Sequence, residues 1–317
     1  MKLFIRRVLV FISPLVVILL LSELFLREME TGFKIKNQQL IASADSIELL
    51  ILGNSHENDG LDPRQFSVYA FNLAQVGQSL YYDKRIALSH IDRLKKLKYV
   101  LIGVDFHSLY YSDFGMVDLC VYYGYGVGGK NRMSLLSKCS YLAGYKQWML
   151  KEFMERSLDK KYKVVKALDV ESGVNFGEPF VKGFVPYTNE TDLRDTLLQE
   201  RAGYFNHLVQ ESQERGDIIR DLEDFITALK RRNIIPILIT TPCYGPFREL
   251  LDHRVQEQNK TDILAMAEKF QIAWWDYFEL PLSADCFYNC DHLNGRGAAV
   301  FSGIVNKRFE ALKSSGH

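Results

Sequence analysis

A three-layer α/β/α sandwich around a mostly parallel sheet is the fold this sequence predicts, and three observations predict it. From residue 47 onward, short apolar runs alternate with longer segments of helical spacing. The runs are apolar at nearly every position, the pattern of strands covered on both faces, not the in–out alternation of a sheet with one wet side. The chain has 317 residues and is 47% hydrophobic, enough for one large core carrying an insertion. Strands alternating with helices imply right-handed crossovers and parallel neighbours, a sheet of flavodoxin-like type.

Ahead of the core, residues 8–26 form a near-continuous apolar stretch with Lys2, Arg6 and Arg7 before it. Roughly 20 apolar residues span a bilayer, so residues 1–27 read as an N-terminal membrane anchor. The rival, a cleaved signal peptide, lacks a small-x-small site after the stretch. Arg27, Lys34 and Lys36 follow the span, so the count of flanking cations is tied. Glu23, Glu28 and Glu30 crowd the far side but count little, and the signal-like layout favours the amino terminus inside and the large domain outside. Residues 28–46 are mostly polar and read as a stalk.

The domain then runs from 47 to 317. Residues 47–52 are a strand ending at Gly53, and 68–73 a second strand. Residues 80–97 have helical spacing, with Leu80, Ala87, Ile91 and Leu94 toward one side, and 99–104 are a third, fully apolar strand. From about 110 to 200 the pattern loosens, and this aromatic-rich, glycine-containing stretch reads as an insertion over the sheet. A helix over about 211–232, a strand over 234–240 bracketed by Pro236 and Pro242, and a helix over 247–270 follow. A short strand at 272–275 and a closing helix at 298–312 complete the pattern.

The formal net charge is zero, so no basic field exists to attract nucleic acid, and no nucleic-acid partner is expected. Five cysteines (Cys120, Cys139, Cys243, Cys286, Cys290) cannot all pair within the chain. Cys286 and Cys290 bracket three residues and read either as a small disulfide clamp or as apolar fillers; without a second pair they do not form a zinc site. His56 and Glu57, with Asp105 and His107, lack the second histidine of a helical zinc signature, so no metal and no other cofactor is expected.

Two places carry candidate chemistry. Gly53-Asn54-Ser55-His56 directly follows the first strand, and Asp291-His292-Leu293-Asn294 precedes the last helix. In an open α/β sheet both lie at the carboxyl edge of the strands, where ligands bind. A serine at a strand tip is exposed and its N–H faces the substrate; a histidine within reach is its base.

The residues resemble the SGNH (GDSL-like) hydrolase superfamily, and within it membrane-anchored bacterial members linked to acyl transfer onto cell-surface polymers. Gly53-Asn54-Ser55 matches the Gly-Asp-Ser block of the nucleophile. Gly77 matches the glycine that lends an N–H to the oxyanion hole, Gly103-Val104-Asp105 the Gly-x-Asn block, and Asn289-Cys290-Asp291-His292 the Asp-x-x-His block. Leu293-Asn294-Gly295-Arg296-Gly297-Ala298 continues the likeness to the anchored members. The resemblance covers about 47–309, insertion excluded.

It implies an esterase or O-acyltransferase acting on acyl groups of an extracytoplasmic carbohydrate or envelope polymer. Ser55 would attack, His292 take the proton, Ser55 and Gly77 hold the oxyanion, and Asp291 or Asn289 orient the ring. Asp105 stands where the family has an oxyanion donor, and a carboxylate accepts only; His107 and Ser108 are substitutes. Implied partners are the substrate, the membrane through the N-terminal helix, and a membrane protein that donates acyl groups. Asp105 and Asn289, both departures at helper positions, keep open a second reading: a weakened scaffold that binds polymer or a membrane partner in an export complex.

Overall fold

The computed structural model describes residues 1–28, 31–110, 117–128, 134–144, 180–187 and 191–315. Five apolar runs pair into one parallel sheet: β1 (Leu49–Leu52), β2 (Ala70–Asn72), β3 (Tyr99–Gly103), β4 (Ile235–Thr240) and β5 (Ala273–Asp276). Their order is β2-β1-β3-β4-β5, the doubly wound arrangement in which the chain reverses direction between β1 and β3. Pairing is in phase across the sheet, Leu50 opposite both Phe71 and Val100, and Ile102 opposite Leu238.

Phase decides which side chain meets which layer. Leu50, Leu52, Phe71, Val100, Ile102 and Leu238 face one core, and Leu49, Ile51, Ala70, Leu101, Ile237 and Ile239 the other. The helices are α1 (Lys2–Glu28), α2 (Gly32–Ala42), α3 (Ser55–Gly60), α4 (Leu80–His90), α5 (Val117–Tyr125), α6 (Leu135–Cys139), α7 (Tyr141–Gly144), α8 (Asp195–Glu211), α9 (Arg215–Lys230), α10 (Gly245–Arg248), α11 (His253–Phe270) and α12 (Gly295–Ser314). The first core is closed by α4 and α9, the latter presenting Ile218, Leu222, Phe225, Ile226 and Leu229. The second is closed by α12 through Phe301, Val305 and Phe309, one stripe at i, i+4, i+8.

Three expectations are corrected. The polar stretch 28–46 is not a free stalk: Thr31 caps α2 by accepting the Lys34 N–H at 3.3 Å, and Phe33, Lys36 and Leu40 are buried on the first core. Helix 247–270 is interrupted, because Asp252 accepts the Arg254 N–H at 3.0 Å and starts α11 afresh. The end of the insertion is regular, since α8 buries Leu198, Ala202 and Phe205 against Phe106, Phe247 and Cys290. Most of the aromatic stretch 110–187 lies outside the described residues.

Helix α1 has 27 residues, about 40 Å at 1.5 Å per residue, and is long and apolar enough to cross a membrane. Its last turns are not detached from the domain. The Glu23 carboxylate accepts from Ser140 Oγ at 2.8 Å and from the Tyr141 and Leu142 N–H groups at 3.0 Å, Arg27 donates to the Cys139 carbonyl, and Leu26 is buried. All five cysteines are free thiols, with Cys286 in the second core and Cys290 against Phe106 and Phe205, so the two do not form a clamp. Asn259 of α11 is buried, accepting from Arg215 and donating to the Phe106 carbonyl.

Candidate active site

The turn after β1 is built to present Ser55. Asn54 is the N-cap of α3: its side-chain oxygen accepts the His56 N–H at 2.8 Å, while Glu57 reaches back to accept the Asn54 N–H at 3.0 Å. Ser55 is thereby the first helical residue, its N–H without an intrahelical acceptor and at the positive end of the peptide dipoles. Gly53 stands at φ 146°, and a Cβ there would collide with the Glu57 carboxyl; a Cβ on Gly103 would meet the same carboxyl from β3. Burial, then the nearby Asp105 charge, pushes Glu57 well above the usual carboxylate range. Gly53→Ala is expected to cost about 3 kcal/mol, combining overpacking with an unfavourable φ, read by urea unfolding.

The last loop folds back as a small hairpin, Phe287 bridging Leu293 and the Tyr288 N–H donating to the His292 carbonyl at 3.2 Å. Asn294 then caps α12 by accepting the Gly297 N–H at 2.9 Å, and Gly297 packs on the Cys286 carbonyl where a Cβ would not fit. This places His292 over α3 although 237 positions separate it from Ser55.

The two side chains meet. Ser55 Oγ lies 2.8 Å from His292 Nε2, and Nδ1 of the same ring lies 3.1 Å from Asp291 Oδ1 and 3.0 Å from Asn289 Oδ1. Both residues matched to the ring-orienting role reach Nδ1: Asn289 also accepts the His292 N–H at 2.9 Å and fixes the loop, while Asp291 brings the charge. Asp291 Oδ2 accepts from Arg201 at 2.6 Å and faces His56 Nε2 at 3.4 Å. Burial alone would raise the Asp291 carboxyl, but His292, Arg201 and His56 hold it well below the usual range. One ring nitrogen each of His56 and His292 and one carboxylate oxygen of Asp291 lie within 4.8 Å of one another, and the Arg201 guanidinium is the cation already seated on that carboxylate.

Asp105 is not an oxyanion donor. Oδ1 accepts from the Thr241 N–H and hydroxyl at 3.1 and 2.8 Å, Oδ2 accepts from Asn54 at 3.0 Å, and His56 Nδ1 stands 3.1 Å from Oδ2. Burial would raise this carboxyl; the His56 charge and its other partners lower it, so it is an anion answering a cation. His56 thus joins two buried aspartates in the order Asp105, His56, Asp291, His292, Ser55. Burial would depress the His56 imidazole, but Asp105 and Asp291 reverse this and hold it up at about 9. His107 is pushed down to about 3 by burial and by the His56 charge. Gly77 sits in the left-handed region at φ 71°, in a loop tied to the Ser55 turn by Gln75 N–H donating to the Gly53 carbonyl at 3.2 Å.

A pH dependence follows with a definite sign. The folded protein keeps the His56 proton to about pH 9, whereas an unfolded chain releases it near 6.5. Its contribution to stability is complete below pH 6.5 and is lost as pH rises through 9. Asp83, which accepts the Gly53 N–H and is raised by burial to about 7, acts in the same direction over a lower range, from about 3.8 to 7. Urea unfolding at intervals from pH 6 to 9.5 should show falling stability, and His56→Gln should flatten the part above pH 7.

Arg201 and Lys36 were not singled out by motif. Arg201 sits in a helix within the irregular stretch, and Lys36 looks like one of many surface lysines in a polar segment.

No protein-family model matches the chain, and no curated protein does. Among solved structures the chain is similar to a protein assigned as an acylhydrolase from Bacteroides fragilis NCTC 9343, at 11% identity and TM-score 0.40, covering 86% of this chain and 94% of that one. It is also similar to a GDSL-like lipase from Bacteroides thetaiotaomicron VPI-5482, at 11% identity and TM-score 0.39, covering 84% and 88%.

Proposed function

We propose that this protein is a serine esterase or O-acyltransferase of the SGNH type. The observation that carries the reading is Ser55 Oγ at 2.8 Å from His292 Nε2, on a ring whose other nitrogen faces Asp291. His292 takes the Ser55 proton as Oγ attacks an acyl carbonyl, and Asp291 stabilises the imidazolium that forms. The Ser55 and Gly77 N–H groups receive the oxyanion. His292 returns the proton to the departing alkoxide, leaving acyl-Ser55; a water or a sugar hydroxyl then attacks it with His292 again as base, and Ser55 Oγ departs from the acyl group and takes the proton back from His292. Asp291 provides the acid that Asn289 lacks, which supports an enzyme over a scaffold.

The substrate class we assign is an acylated envelope carbohydrate on the extracytoplasmic side, with α1 retained as an uncleaved anchor. The bonds from Glu23 and Arg27 into α6 and α7 support retention, since cleavage would discard partners that the domain uses. A membrane protein delivering acyl groups is the partner that transfer would need. The test is the full-length protein in detergent with a chromogenic acetyl ester and a fluorophosphonate probe. Covalent labelling at Ser55 with ester turnover is expected; neither labelling nor turnover would favour the scaffold.

A further inference from the structure

Lys36 lies outside the residues that do the chemistry, yet it is fully buried, and it comes from α2, ahead of the first strand. Its Nζ donates to Asn58 Oδ1 at 2.7 Å and to the Ala74 carbonyl. Those partners belong to the two segments beside Ser55: Asn58 is in α3, which Ser55 begins, and Ala74 opens the loop that carries Gly77. The contacts continue toward the base. Asn58 Nδ2 donates to Asp59 Oδ1 at 2.6 Å, and the Tyr288 hydroxyl donates to Asp59 Oδ2 at 2.9 Å. The Tyr288 ring stacks on the His292 ring, centroids 5.3 Å apart and planes inclined by 20°.

We propose that Lys36 is a positioning residue for the acyl-transfer site, and the proposal rests on the serine reading above. It fixes α3 against the Gly77 loop directly, and through Asn58, Asp59 and Tyr288 it fixes the plane of the His292 ring. An ammonium is costly to bury unless acceptors are well placed, and an apolar side chain would fill the same socket at lower cost. What an apolar side chain lacks is the capacity to bond two different segments from one nitrogen, which three N–H donors provide. Because only residues 29–31 separate α1 from α2, the same lysine ties the site's geometry to the base of the N-terminal helix.

The test is Lys36→Met in the full-length protein in detergent. The rate of fluorophosphonate labelling and kcat for the acetyl ester should fall about 10-fold to 100-fold, with KM nearly unchanged, at a temperature where circular dichroism shows the variant folded. Tyr288→Phe, which removes one hydroxyl, should fall in the same sense. The double variant should lose no more than Lys36→Met alone, because members of one line are not additive. An unchanged kcat in folded Lys36→Met, or additive losses, overturns the proposal. If Lys36→Met does not fold, Asn58→Ala and Tyr288→Phe interrupt the same line and are judged by the same criteria.

Side-chain nitrogen resonances of His292 in histidine-labelled protein report the line without turnover, and should shift in the same direction in each variant. A wild type inert to ester and probe whose His292 resonances respond would sink the catalytic reading and leave the line standing. A reactive wild type whose rates and resonances ignore all three substitutions would sink the line alone.

Discussion

Ser55→Ala is expected to abolish ester turnover and fluorophosphonate labelling together, a loss of about 10⁶-fold in kcat by analogy with serine hydrolases in which the nucleophile alone is removed. Stability should change by no more than about 0.5 kcal/mol, because Ser55 is half-exposed and its backbone, not its hydroxyl, begins α3. Mass spectrometry of the labelled peptide, with thermal unfolding in parallel, checks both halves. Retained turnover in Ser55→Ala would place the chemistry elsewhere.

Asp291→Asn has the second largest expected effect and acts on rate and stability at once. Losing the carboxylate beside a catalytic histidine costs about 10⁴-fold in the serine-protease template, where the ring also takes the wrong tautomer. Here Asn289 Oδ1 remains on Nδ1 at 3.0 Å and preserves the tautomer, so a loss of about 10²-fold to 10³-fold is expected, from charge alone. The same change leaves Arg201 and the His56 imidazolium without their shared anion, which should cost about 3 kcal/mol, the magnitude seen when one partner of a buried pair is removed. Adding Asn289→Asp restores a carboxylate on Nδ1 but not the seat of Arg201. The double variant should therefore recover rate while remaining unstable, and recovery of both would show that Arg201 contributes nothing.

The sheet was legible because parallel strands covered on both sides are apolar at nearly every position, and all five runs are found within two residues of their expected ends. Ser55 and His292 were legible for a related reason: turn residues after the first strand and before the last helix fall on one edge of such a sheet. What the sequence hid shares one cause, inward-facing charge in a segment of polar composition. Lys36 occupies the buried stripe of α2 with Phe33 and Leu40, so that stripe reads as a polar stalk. Arg201 lies one helical turn from Leu198 and Phe205 and is recognisable only once Asp291 is seen opposite it. Asp105 read as a failed oxyanion donor because its partners, His56 and Thr241, come from other strands' ends.

The order in which the site is assembled has a consequence for fragments of the domain. Ser55 follows the first strand of the domain, but His292 arrives only with the hairpin before α12, and α12 must then dock, with Ser302 Oγ accepting the Asp62 N–H at 2.8 Å. A chain cut short before that hairpin carries Ser55 without His292, and its second core is open to solvent. A fragment that lacks α12 is therefore expected to be inert toward the acetyl ester and to be cut by added protease faster than the whole domain, because one face of its sheet is uncovered.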